Sequence, residues 1–287
     1  MHRFPRILTC ALVAALPALG LTAGLTSASA SPVGTAARPA PARAEAMALA
    51  IIRHLHIGQH GTDHRVRGRS QVSGLSQVQS TNWSGYADTG SNFSTVTGSW
   101  SEPGASCSRS TTYAAFWVGI DGYSSSSVEQ DGTLIECYQR FAYQYSWWEM
   151  YPTNDIQVVG QSVAAGDSIS ASVVRSGSSY TLKVTDSTHS ANSFTTTQTC
   201  SGCANSSAEW IAEAPCCTSS GGILPLANFG TWTENGATVT EGTTSGVISS
   251  FTDDEITMID NSGIVKAQPG SLNGGGNGFS VTWIRSS

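Results

Sequence analysis

Histidine is nearly missing from the larger part of this chain. Five of the six (His2, His54, His56, His60, His64) lie in the N-terminal segment, and only His189 remains beyond it. A serine nucleophile needs a histidine fixed in a cleft as its base. His189 stands in D-S-T-H-S-A-N, which reads as a polar, solvated hairpin tip. Metal-assisted hydrolysis needs two or three His or carboxylate ligands at regular spacing, and no such group occurs, so no metal or cofactor is expected. No phosphate-cradling glycine loop or dinucleotide fingerprint lies between a strand and a helix. Basic residues are scarce too. Eight of the 14 Lys/Arg fall in residues 1–70 beside two of the 20 acids, leaving six bases against 18 acids in the remainder. That acidity argues against nucleic acid as a partner. Beyond residue 30 no run is apolar enough to span a bilayer, so a soluble product without a membrane partner is expected.

The N-terminal segment divides in two. His2, Arg3 and Arg6 precede a short apolar run interrupted by Pro17, and Ala28 and Ala30 have A-x-A cleavage spacing. Residues 1–30 read as a signal peptide and the product as secreted. Residues 31–72 begin Pro/Ala-rich, continue as the helical pattern A-E-A-M-A-L-A-I-I-R-H-L-H, and end near Arg65, Arg67 and Arg69. A basic leader before an acidic domain reads as a pro-segment held partly by charge and cut off at the arginine cluster. A basic linker is the alternative.

Residues 73–287 have the size of one all-β domain. Six of the seven cysteines lie there, at 107, 137, 200, 203, 216 and 217. In an exported chain an even number points to disulfides, with the pairing open. A C-x-x-C followed by C-C matches no standard zinc module. Short β-branched and aromatic runs alternate with Gly, Asn, Asp and Ser: 94–100, 112–120, 141–151, 168–174, 180–185, 208–213, 246–252 and 279–284. R-S-G-S-S-Y (175–180) reads as a hairpin turn. The pattern, without a long helical period or a repeat after residue 72, predicts an antiparallel β-sandwich of two packed sheets.

Carboxylates and amides are what remains for chemistry. In A-E-W-I-A-E-A-P (208–215), alternation puts Glu209, Ile211 and Glu213 on one strand face and Ala208, Trp210 and Ala212 on the other. Gln130 lies in V-E-Q-D-G after a polar loop. Trp147, Glu149 and Tyr151 share a face in W-W-E-M-Y-P, as do Trp117, Gly119 and Asp121 in F-W-V-G-I-D-G. Each tryptophan alone reads as packing, but the stretches together resemble an aromatic substrate groove with acids in its walls.

Taken in order, these stretches resemble the glutamic peptidases, the eqolisin family. N-W-S-G-Y-A (82–87) is similar to its N-W-G-G-A, F-W-V-G-I-D-G (116–122) to W-V-G-I-D-G, W-W-E-M-Y-P (147–152) to W-Y-E-W-Y-P, A-E-W-I-A-E (208–213) to A-E-F-I-I-E, and L-P-L-A-N-F (224–229) to V-P-F-A-S-F. V-E-Q-D-G sits where that family has its catalytic glutamine. The loop before Gln130 lacks the family's cysteine, a C-C pair follows the 208–213 strand, and the last fifty residues match weakly. The resemblance implies a lectin-like jelly roll with Glu213 as acid–base and Gln130 as oxyanion donor. Asp121 and Glu149 would orient the amide and the water, and Trp83, Trp117, Trp147 and Tyr151 would line the groove. Glu209, a like charge on the same face, would raise one carboxyl pKa. The expected product is an acid-acting, monomeric endopeptidase whose partners are protein or peptide substrates and its own pro-segment. Two other readings stay open: a glycoside hydrolase using Glu149 and Glu213, and a non-catalytic carbohydrate-binding sandwich.

Overall fold

The computed structural model describes residues 46, 49–50, 70–72, 75–216 and 222–287. The expected signal peptide and the arginine cluster lie outside them. Seventeen strands occur among the described residues. They are β1 (Ser70–Val72), β2 (Leu75–Ser80), β3 (Trp83–Thr89), β4 (Phe93–Ser101), β5 (Thr112–Ile120), β6 (Val128–Tyr138), β7 (Phe141–Tyr151), β8 (Asn154–Gly160) and β9 (Ser168–Ser176). They continue as β10 (Ser179–Asp186), β11 (Phe194–Thr199), β12 (Ser207–Glu213), β13 (Thr231–Glu241), β14 (Thr244–Gly246), β15 (Asp253–Ile259), β16 (Val265–Pro269) and β17 (Phe279–Trp283). No helix among the described residues is long and apolar enough to cross a membrane.

One sheet runs β1-β2-β15-β3-β12-β5-β6-β7-β8, and β15 continues it through β16 and β17 to the start of β13. All its pairings are antiparallel except β15 with β2. The second sheet is β14-β13-β4-β9-β10-β11. β13 therefore joins both sheets. It changes sheet near a register shift between Asn235 and Thr238, where Gly236 takes a φ of 65° that other residues seldom adopt.

The alternating patterns explain the layering. Phe116, Val118, Trp210 and Ala212 join Val173, Leu182, Val184 and Trp232 in the core between the sheets. Phe116 stacks on Trp232 at 5.5 Å, and Trp232 meets Phe279 edge-on at 5.7 Å. Truncating a buried aromatic of this size costs about 3–5 kcal/mol. The outer face of the first sheet carries a second apolar cluster, including Trp83, Trp117, Trp147, Tyr145 and Ile211.

The 175–180 turn is the expected hairpin, with Ser176 opposite Ser179 and Gly177 at φ 62°. The expected strand over 246–252 is absent. Residues Ile248–Ser250 form a 3₁₀ turn, and the strand begins only at Asp253. Ser250 Oγ takes the N–H of Val247, a local bond that competes with strand pairing. His189 is not simply solvated: its Nδ1 lies 2.9 Å from both oxygens of buried Asp167, bracing the β10–β11 connection.

Disulfides join Cys107 to Cys137 and Cys200 to Cys203. Cys216 is also disulfide-bonded. The C-x-x-C thus closes on itself as an oxidised pair.

Candidate active site

β12 is a central strand, flanked by β3 and β5. Its period of two sends Glu209, Ile211 and Glu213 to the outer face and Ala208, Trp210 and Ala212 to the core. The ladders extend that face into rows. One row holds Glu209, Gly119, Gln130 and Glu149. The next holds Ile211, Trp117, Gly132 and Trp147. The third holds Trp83, Glu213, Ala115, Leu134 and Tyr145. Gln130 and Glu213 are therefore on one face, two rows apart, with Trp117 in the row between.

Glu213 is wholly buried and held by neutral donors. The Trp117 indole Nε1 donates to its Oε2 at 2.9 Å, and the Asn82 side-chain amide donates to its Oε1 at 3.3 Å. The amide's orientation follows from its other contacts. Ser80 Oγ donates to Asn82 Oδ1 at 3.1 Å, which directs the NH₂ toward Glu213. The chain is fixed again where the Ala214 N–H donates to the Asn82 carbonyl at 2.9 Å. β12 ends at Glu213, two residues before Pro215. Trp83 meets Trp117 edge-on at 5.0 Å and so supports the indole that holds the carboxylate.

Gln130 lies opposite Glu149 across the β6–β7 ladder, and its Nε2 donates to Glu149 Oε2 at 2.8 Å. Both side chains are fully buried. Gly119 makes the packing possible: a Cβ there would fall 2.9 Å from the Trp117 ring and 3.2 Å from Gln130 Cβ. That hydrogen bond holds the Gln130 amide in one orientation.

The other expected residues are placed as follows. Trp147 belongs to the outer aromatic cluster, whereas Tyr151 is half-buried at the end of β7, outside that cluster. Asp121 accepts hydrogen bonds from the backbone N–H groups of Asn205 and Ser206 at 2.7 and 2.8 Å. Its carboxylate thus anchors the loop that enters β12 instead of reaching the Gln130 amide. Glu209 is fully buried and its carboxyl is raised well above the usual range, first by burial and then by Asp121, Glu129 and Asp88. The expected mutual effect with Glu213 is not among these causes. Asn82 is the residue that sequence reasoning passed over. Its signal was its place directly before Trp83, the register partner of Glu213.

Two groups of possible metal ligands occur among the described residues: Glu129 with Cys200 and Cys203, and Asp167, Asp186 and His189. The first pair of sulfurs is oxidised, and the second group's carboxylates already accept N–H donors from Ala164, Thr188, His189 and Asn192. Neither includes Gln130 or Glu213.

A model of the Peptidase A4 family matches residues 81–274, a span that includes Asn82, Gln130, Glu149 and Glu213. Scytalidopepsin B of Scytalidium lignicola is 30% identical over 197 residues, covering 66% of this chain and 74% of that protein. Among solved structures, scytalido-glutamic peptidase with a transition state analog inhibitor gives a TM-score of 0.61 at 23% identity, covering 71% of this chain and 98% of that one. SCP-B, described as a member of the Eqolisin family in complex with the tripeptide Ala-Ile-His, gives 0.59 at 23% identity over 71% of this chain and 98% of that one. Aspergilloglutamic peptidase from Aspergillus niger gives 0.50 at 26% identity over 60% of this chain and 99% of that one.

Proposed function

The chain belongs to the Peptidase A4 family and is a glutamic endopeptidase, and on that premise we propose that Glu213 is its acid–base and Gln130 its oxyanion donor. One observation carries this reading: Glu213 is a buried carboxylate held by two neutral N–H donors, on the same face as an amide locked by Glu149.

In the proposed reaction, ionised Glu213 takes a proton from a water as that water's oxygen attacks the scissile carbonyl carbon. The carbonyl π electrons move to oxygen, and a Gln130 N–H donates to the resulting oxyanion. Glu213 then gives its proton to the amide nitrogen, the C–N bond breaks, and a carboxylic acid and an amine leave. Asn82 and Trp117 hold the carboxylate, and Glu149 holds the amide. Asp121 acts farther off, through the loop that precedes β12.

Acid action follows from a carboxylate base whose reference pKa is about 4. The interior supports it: burial pushes Asp88 up to about 9 and Glu136 up to about 8, so both are neutral in acid. Secretion rests on the N-terminal pattern of residues 1–30. The pro-segment reading gains a contact, because Leu49 packs against the outer cluster that contains Trp83, Trp117 and Trp147. Gln130 and Glu213 are wholly buried in the full chain, so substrate requires their uncovering. The full chain should convert on acidification, and Glu213→Gln alone should not; conversion by that variant would contradict self-processing.

The glycosidase alternative assigns Glu149 and Glu213 and has little use for Gln130. The deciding experiment measures cleavage of a denatured protein and of a polysaccharide across acid to neutral pH, by the converted wild type and by Gln130→Ala. Acid-limited proteolysis lost with Gln130 supports the peptidase assignment. Polysaccharide cleavage that survives that substitution would overturn it.

A further inference from the structure

Glu129 and the Cys200–Cys203 pair take no part in the outer-face site. Glu129 precedes Gln130 on β6, so its side chain points to the opposite face, where it is wholly buried. Its Oε1 lies 2.8 Å from Sγ of Cys203, and Asp121 and Ser127 also lie within hydrogen-bonding reach of its carboxyl. Cys203 is bonded to Cys200, and both are partly exposed. A disulfide sulfur carries no hydrogen. The hydrogen bond between these atoms therefore requires the proton on Glu129. The surroundings favour that form: burial first, then Asp121, push its carboxyl up to about 9. The ionisable groups near it are Asp121 after β5 and Arg175 and Tyr180 of the β9–β10 hairpin, with Glu209 of β12 on the other face of the sheet. Arg175 is the one cation among them, and it is the weakest influence on Glu129.

A neutral acid in contact with a sulfur has a specific use. When a thiolate attacks a disulfide, the departing sulfur leaves as a thiolate, and departure is faster when that charge is stabilised. A proton delivered at the same moment does so. The other disulfide with both partners described differs: it spans 30 residues and has Cys137 wholly buried.

We propose that Cys200–Cys203 is a thiol–disulfide exchange site, open to dithiol reductants, with Glu129 delivering the proton to Cys203 as it leaves. One thiolate of the reductant attacks Sγ of Cys200. The Cys200–Cys203 bond breaks, its electron pair goes to Sγ of Cys203, and the Glu129 proton follows. The reductant's second thiolate then attacks its own sulfur in the mixed disulfide and releases Cys200, which is protonated from water. The reductant is oxidised to its cyclic disulfide, two protein thiols form, and Glu129 regains its proton from solvent. The site borders the peptidase machinery. Cys203's carbonyl accepts from the Asn205 side chain, and Asn205 begins the stretch that Asp121 anchors at the entry to β12. Reduction opens the Cys200–Cys203 closure four residues before the strand that carries Glu213 begins.

The test treats the purified full chain with dithiothreitol at a series of pH values, traps free thiols by alkylation and locates them by peptide mass. Cys200 and Cys203 are expected to be labelled well before Cys107 and Cys137. The labelling rate, divided by the reductant's thiolate concentration, should stay level through acid and neutral pH and fall as pH passes about 9. Glu129→Gln should slow it by about tenfold or more in the level range and abolish the fall. Should that variant fail to fold, the wild-type profile decides alone. A thiolate-corrected rate that is flat across the whole range, or simultaneous labelling of both disulfides, would overturn the proposal.

Discussion

The two sheets of the sandwich meet water in opposite ways. In β9, β10 and β11 burial alternates residue by residue, with Ile169, Ala171, Leu182 and Val184 inward and Ser170, Lys183, Thr195 and Thr197 toward solvent. In β12 all seven residues are buried, two glutamates included, and β6 buries ten of its eleven. The second sheet has one working face and one solvated face. The central strands of the first sheet withdraw both faces from water and put carboxyls on each: Glu213 and Glu209 outward, Glu129 and Asp131 inward. An alternating strand is explained by the fold alone. A strand that buries acids on a face away from the core calls for a functional reason.

The largest expected break in that comparison is Glu213→Gln, which should lower kcat/KM by about a thousandfold or more while the far-ultraviolet circular dichroism stays unchanged. Lys183→Ala on the solvated sheet should leave the rate unaltered. Gln130→Ala should cost about 10²–10³ in kcat, from loss of a donor to the oxyanion. Asn82→Ala should cost about tenfold, the value of one hydrogen bond to a charged group. It should also move the acidic limb of the kcat profile to higher pH, because a carboxylate that loses an N–H donor is easier to protonate.

A smaller effect concerns stability. Asp88 and Glu136 are buried, with Tyr113 the one hydrogen-bonding neighbour of the Glu136 carboxyl among the described residues. Burial raises their pKa values to about 9 and about 8. A raised carboxyl pKa means that the unfolded chain releases the proton first. Stability is thus fully present below the unfolded value near 4 and is lost as pH climbs toward about 8 to 9. Calorimetry should record a Tm roughly 5 °C or more lower at the alkaline end, given about 2–4 °C per kcal/mol. Asp88→Asn should flatten that slope. At the lower extreme, Thr197→Ala, on the solvated sheet, should change stability by less than about 0.5 kcal/mol.

Much of the second sheet was legible because its strands alternate and its turns carry glycine, as at Gly177. That Glu209 and Glu213 share one strand face followed from the same period of two. The segment 246–252 was misread because β-branched and aromatic residues mark packing as well as strands, and the Ser250 hydroxyl closes a local turn instead. Asn82 was missed because its partner is 131 residues away, and no local pattern carries that register. Asp121 was read from its neighbours in sequence, yet its hydrogen bonds go to Asn205 and Ser206. The pairing of Cys200 with Cys203 was open among fifteen arrangements of six cysteines, and only the folded chain settles it.

The most direct measurement is a single turnover in heavy-oxygen water with enzyme in excess over peptide, followed by mass analysis of the product and of the enzyme peptide that contains Glu213. Attack by a Glu213-activated water predicts one heavy oxygen in the new product carboxyl and an unlabelled Glu213. Heavy oxygen in Glu213, with an unlabelled first product, would mean that the carboxylate itself attacks, and would contradict the account.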